Sequence, residues 1–132
     1  MKHLTLILTL LFSTLMIASP AYADWEKVGT AKNGTIFYVD FDRIRTNGGY
    51  VYYWDLTDYL EPSPTGTLSS KTYYQGDCEM FRYKYLSFIF HKQPMGEGSG
   101  KSSASINKEW NYPPPNSAVE ETLEQVCRRA GL

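Results

Sequence analysis

The sequence predicts an α+β domain in which an antiparallel sheet of about six strands carries a C-terminal helix on one face. Three observations lead there. Segments rich in Tyr, Phe and Val recur from Trp25 to Tyr112, separated by Asn-Gly, Gly-Gly and Pro-containing turns. A stretch of helical periodicity with signals at both ends follows Pro113-Pro114-Pro115. One cysteine, Cys78, lies among the strand segments and the other, Cys127, in the helical stretch.

The chain opens with Met1-Lys2-His3, an apolar run from Leu4 to Ile17 broken by a few Ser and Thr, and a small-residue stretch ending in Ala21-Tyr22-Ala23. That order is a signal peptide, with cleavage expected between Ala23 and Asp24. The apolar run is shorter than the ~20 residues that span a bilayer, which argues against a retained anchor. No later stretch is apolar enough to span, and no cysteine near the cut could take a lipid. The expected location is therefore the periplasm or the exterior, as a soluble protein without a lipid anchor. Residues 24–132 then make one domain of 109 residues with one core. They carry 12 Lys and Arg against 14 Asp and Glu, and a charge of −2 argues against nucleic acid as a partner.

Trp25 to Ala31 and Thr35 to Asp40 read as a hairpin, because Asn33-Gly34 suits the positive φ of a type I′ turn. Asp40 to Ile44 breaks the alternation as a tight or helical turn, and Asn47-Gly48-Gly49 makes the next turn. Tyr50 to Tyr59 is a long strand with Tyr50, Tyr52, Trp54 and Leu56 on one face and Val51, Tyr53, Asp55, Thr57 and Tyr59 on the other. Pro62 and Pro64 place Glu61 to Gly66 outside any sheet. Ser69 to Gln75 and Cys78 to Lys92 follow as strands around a Gly76-Asp77 turn. The second has mixed parity, which fits either a bulge or burial on both faces. Gln93 to Ser105, with Gly96, Gly98 and Gly100, reads as a mobile loop, and Ile106 to Tyr112 as a last short strand.

Ser117 and Glu120 form a capping box directly after the prolines. Glu120, Glu121 and Glu124 suit the positive end of the helix dipole, Arg128 and Arg129 the negative end, and Gly131 its termination. Val119, Leu123, Val126, Cys127 and Ala130 form one apolar stripe, so Cys127 should face the sheet. Two cysteines in an exported chain pair in an oxidising compartment, so a Cys78–Cys127 disulfide is expected.

Catalytic signals are sparse. Asp40 and Asp42 flank a turn, where carboxylates usually cap. Asp55 and Asp58 are out of phase along their strand. His91 stands at a strand end with no Gly-x-Ser-x-Gly elbow and is expected to be solvated, and the Gly96–Gly100 run lacks the Lys-Ser/Thr of a phosphate loop. No catalytic, cofactor-binding or metal-binding residue is assigned, and no cofactor is expected. The 10 Tyr, 5 Phe and 3 Trp beyond the leader have two uses: filling a small core, or offering a stiff contact surface to a protein partner. Candidate contact residues are Tyr50, Tyr52 and Trp54 if their face is open, and Tyr53 and Tyr59 if the helix covers it instead. A periplasmic inhibitor, a small-ligand carrier and a small hydrolase are the alternatives to a protein-binding domain.

Phe37-Tyr38-Val39-Asp40, Trp54-Asp55-Leu56, Tyr73-Tyr74 running into Cys78, Met95-Gly96-Glu97-Gly98, Trp110 before the prolines, Ser117 and the helical Cys127 occur in an order that resembles the surface-adhesin protein E family of bacterial envelope proteins. The resemblance covers roughly Trp25 to Gly131. It implies a sheet of about six antiparallel strands with the C-terminal helix held to it by the disulfide, non-enzymatic adhesion to host matrix and serum proteins, and homodimer formation as a further option. The segment Glu61 to Lys71 holds Lys71 as its one basic residue, so recognition through positive charge is not expected.

Overall fold

The computed structural model describes residues 23–132; the leader expected over residues 1–23 lies, but for Ala23, outside the described residues. The first hairpin joins β1 (Glu26–Thr30) to β2 (Ile36–Val39). Its loop is longer than a two-residue turn. Ala31 N–H donates to Thr35 O at 2.8 Å and Gly34 N–H to Ala31 O at 3.0 Å. Of the Asn-Gly pair, Gly34 alone takes a positive φ, 91°. Asn33 instead accepts from Thr35 N–H through its side chain, at 3.1 Å. A 3-10 turn, Phe41–Arg43, follows, in which the Asp40 side chain makes no cap hydrogen bond. It pairs with Arg43 at 3.3 Å.

The remaining strands are β3 (Arg45–Asn47), β4 (Tyr50–Asp58), β5 (Ser69–Asp77), β6 (Arg82–His91) and β7 (Gly100–Ala104), and α1 spans Ala118–Arg129. They form one antiparallel sheet in the order β1-β2-β4-β5-β6-β7, with β3 also on β4. Two expectations shift here. Gln93–Ser105 is not all loop, since Gly100–Ala104 pairs with β6. Ile106–Tyr112 is not a strand and contributes one bridge, Tyr83 to Asn111, with bonds of 2.8 and 2.9 Å. Small residues carry little strand signal, so the pairing partner, and not propensity, makes β7.

The β5–β6 connection also moves. Gly76 and Asp77 belong to β5, and the turn is Cys78 to Phe81. The Asp77 carboxylate organises it, accepting from Glu79 N–H and Met80 N–H at 3.2 Å each and from Arg82 Nε at 2.9 Å. Within the strand, position 76 requires glycine, because a Cβ there would meet Val51 Cγ2 at 2.8 Å and Leu123 Cδ1 at 2.9 Å. A break in register between Tyr73 and Tyr74, opposite Leu86, resolves the mixed parity of β6. Up to Tyr85 the odd residues share a face with Tyr74; beyond the bulge Phe88 and Phe90 take it over.

Helix α1 starts as its sequence dictates. The Ser117 Oγ accepts from Glu120 N–H at 3.1 Å, and the Glu120 carboxylate reaches back to Asn116 N–H at 3.1 Å. Its stripe lies on β1 and β4, where Leu123, Val126 and Cys127 join Val39, Val51, Tyr53, Tyr74 and Tyr83 in one core. Cys78 and Cys127 are disulfide-bonded across a Cα–Cα distance of 5.7 Å. Cys78 sits in the turn and not on a strand, so the bond ties the helix to the end of the β5–β6 hairpin.

Candidate functional site on the face opposite the helix

Because side chains alternate along a strand, burying Val51, Tyr53 and Asp55 under the helix turns Tyr50, Tyr52, Trp54 and Leu56 to the other face. Registers on β5 and β6 add Tyr73 opposite Trp54 and Ser87, and Lys71 opposite Leu56 and Ile89. Trp54 and Tyr73 lie with ring centroids 4.8 Å apart, and Tyr52 and Tyr73 6.3 Å apart. All three are half-exposed.

The array is bounded at both ends. At one, the segment after Ile106 returns and lays Trp110 beside Tyr50, with centroids 5.5 Å apart. The Arg82 guanidinium and the Lys84 ammonium each sit 4.4 Å from the centre of the Trp110 ring, so the indole is a cation–π hub. At the other end the turn Pro94–Gly96 packs over Leu56 and Lys71. Three bonds hold that turn: Met95 N–H to Asp58 Oδ1 at 2.8 Å, Gly96 N–H to Ser69 Oγ at 2.8 Å, and Ser69 Oγ to Gln93 O at 2.6 Å. A cavity of about 250 Å³ lies on this face between Trp25, Trp54, Ile89, Lys71, Asp40 and Arg43.

Tyr53, the first of the second pair of candidates, is fully buried, and desolvation pushes its hydroxyl pKa well above the ordinary value. It stacks on Tyr74, which continues through Tyr83 and Tyr85 to Phe88. Tyr53, Tyr74 and Tyr83, with Phe41, are therefore core. Tyr59 is half-exposed, shares a hydrogen bond with Ser70 Oγ at 3.1 Å, and lines a groove of about 480 Å³ with Thr67, Phe90 and Lys92. Tyr73, Trp25 and Trp110 are not among the contact residues the sequence suggests, because nothing in their own segments reports which face they take.

The polar groups do not converge. Asp55 points to the helix side, opposite Thr72, while His91 lies opposite Ser69 on the other face. Asp42 is exposed and Asp40 is 1% exposed. His91 is buried, 3% exposed, contrary to the expectation of a solvated ring; the 94–98 turn and Gly100 close over the strand end. Burial, and then Lys71, hold its pKa below the ordinary range. Among the described residues no group of three or more His, Cys, Asp or Glu is placed to hold a metal ion.

Fold and site together define a class: a disulfide-closed antiparallel sheet with a helix on one face and an aromatic array on the other. Within that class the chain belongs to the surface-adhesin protein E family, whose model matches residues 25–128. Solved structures with the same fold include Haemophilus influenzae protein E in its second crystal form, 16% identical with a TM-score of 0.58 over 86% of this chain and 98% of that one. Protein E from non-typeable Haemophilus influenzae is 17% identical, with a TM-score of 0.58 over 86% of this chain and 83% of that one. No curated protein matches by sequence. The chain is a surface-adhesin-like protein, and its family implies an exported or cell-surface location. No helix among the described residues is long and apolar enough to cross a membrane.

Proposed function

We propose that this chain is a non-enzymatic, adhesion-type binding domain of the bacterial envelope, periplasmic or secreted after cleavage behind Ala23, and that the Tyr52–Trp54–Tyr73 array contacts a protein partner. The observation that carries the reading is the half-exposed ring cluster on the face away from the helix. Stiff aromatic rings lose little entropy on docking and supply most hot-spot energy at protein contacts. Membership of a surface-adhesin family supports a host-protein partner, and matrix and serum proteins are the class to test first. A second copy of the chain is the other candidate for the same face.

The space between helix and sheet is filled by Val51, Tyr53, Leu123 and Val126, which disfavours a carrier with an enclosed pocket there. The test pairs Tyr52→Ala, Trp54→Ala and Tyr73→Ala with Tyr53→Ala. A contact anchor should lose at least about 2 kcal/mol of affinity for immobilised matrix protein with an unchanged unfolding midpoint. Tyr53→Ala should instead cost about 3–5 kcal/mol of stability. Sedimentation of the same variants reads self-association. Stability losses at all positions with no separate effect on binding, or binding abolished by moderate salt, would refute the proposal.

A further inference from the structure

Asp40 is the most unusual carboxylate on the open face. It is 1% exposed, yet one oxygen, Oδ1, has no hydrogen-bond partner among the described residues. Its other oxygen, Oδ2, pairs with Arg43 Nε at 3.3 Å. A buried carboxylate oxygen without a protein partner has room for a donor. Asp40 lines the 250 Å³ cavity together with Ala23, Trp25, Arg43, Trp54, Lys71 and Ile89. Neither cation of the cavity pairs with Oδ1. Arg43 is committed to Oδ2 and its side chain is 54% exposed. Lys71 lies under the Pro94–Gly96 turn, its Nζ 3.4 Å from where a Cβ on Gly96 would sit.

The β1–β2 register places a donor nearby. Glu26 pairs with Val39, so one step further along both strands sets Trp25 beside Asp40. Ala23 and Asp40 thus border one cavity, and the nitrogen bonded to the Ala23 carbonyl is the backbone nitrogen of Asp24. In the uncut chain that nitrogen is a neutral amide with one hydrogen. Hydrolysis of the Ala23–Asp24 bond by a signal peptidase adds water across it. The carboxylate leaves on Ala23, and Asp24 gains an α-ammonium with three donors.

We propose that the α-ammonium of Asp24, created by processing, docks in this cavity and pairs with Oδ1 of Asp40, locking the first strand over the aromatic face. The proposal rests on the reading that the chain is exported and cut after Ala23. Burial raises the pKa of Asp40; Arg43, and then the Asp42 N–H, favour its ionised form, while the Asp42 and Asp24 carboxylates oppose it, and Lys71 shares the cavity. An ammonium between Asp24 and Asp40 relieves the repulsion of the two carboxylates while leaving Arg43 in place.

Mass spectrometry of the exported protein first gives its N-terminus. A start other than Asp24 overturns the processing site and the pairing with it. For protein that begins at Asp24, the α-amine is titrated by NMR after isotopic reductive methylation. It should titrate at least one unit above the ordinary value of about 7.7–8.0, a tenfold tighter hold on its proton, and the shift should vanish in Asp40→Asn. N-terminal acetylation should lower the midpoint of thermal unfolding in the parent protein and leave Asp40→Asn unmoved. If that variant fails to fold, the free and acetylated parent forms still decide the matter. An α-amine with an ordinary pKa, or acetylation without effect on the parent, overturns the pairing alone.

Discussion

Asp55 makes the fold sensitive to pH in a direction opposite to that of an ordinary paired carboxylate. It stands on β4 on the helix side, 8% exposed, with Oδ1 unpartnered among the described residues. Burial pushes its pKa from 3.8 up to about 7, against the opposing pull of the Tyr74 hydroxyl and the Thr72 amide and hydroxyl. The folded state therefore holds the proton more tightly than the unfolded chain. Its stabilising contribution is full below the unfolded pKa and is lost as pH rises from about 4 through 7. A shift of about three units, at about 1.4 kcal/mol each, corresponds to a loss of about 4 kcal/mol. Asp55→Asn retains the shape and removes the titration. Urea unfolding of both proteins at intervals from pH 4 to pH 8 is the assay, because the difference between them cancels every other titrating group. Wild type should fall relative to the variant by about 4 kcal/mol across that window. Parallel profiles would refute a buried, proton-holding Asp55.

Other substitutions probe the packing around it. Gly76→Ala should destabilise by about 1–3 kcal/mol through the clash with Val51 and Leu123, read by denaturant unfolding with the disulfide intact; a neutral result would mean the helix can lift at no cost. Cys127→Ser opens a bond that spans 49 residues and should cost about 4 kcal/mol. Native protein unfolded without reductant should show no free thiol, and two free thiols would contradict the bond. His91 is held neutral by burial and by Lys71, so its contribution is present above its unfolded pKa of about 6.5 and lost as pH falls below it. His91→Gln should flatten thermal unfolding below that pH, and an unchanged acid profile would refute it.

How much of this was legible in the chain varies with the kind of interaction. Ser117, Glu120 and Gly131 delimit α1 through backbone groups only a few residues away, so local chemistry announces the helix. The alternation of Tyr50 to Asp58 likewise announces two faces, and the cysteine count announces a bond. Where a partner strand or helix is needed, the local pattern misleads. Gly76 resembles a turn residue until Leu123 is set against it, and Gly100–Ala104 has no strand signal until β6 lies alongside. The solvated histidine expected at position 91 became a buried one because a turn folded back from residues 94–98.

The same division holds for the site. The sequence alone determined that Tyr50, Tyr52 and Trp54 share a face, since two successive side chains on a strand must point apart. It could not determine which face the helix would cover, because Val51 and Tyr53 on one side are as burial-prone as Tyr52 and Trp54 on the other. Tertiary packing decided that. The helix stripe settled on the face where Gly76 leaves room for Leu123 and where Cys78 is within bonding reach of Cys127. The tyrosines and tryptophan left on the opposite face then met Tyr73, Trp25 and Trp110, contacts between segments far apart in the chain that no local pattern encodes.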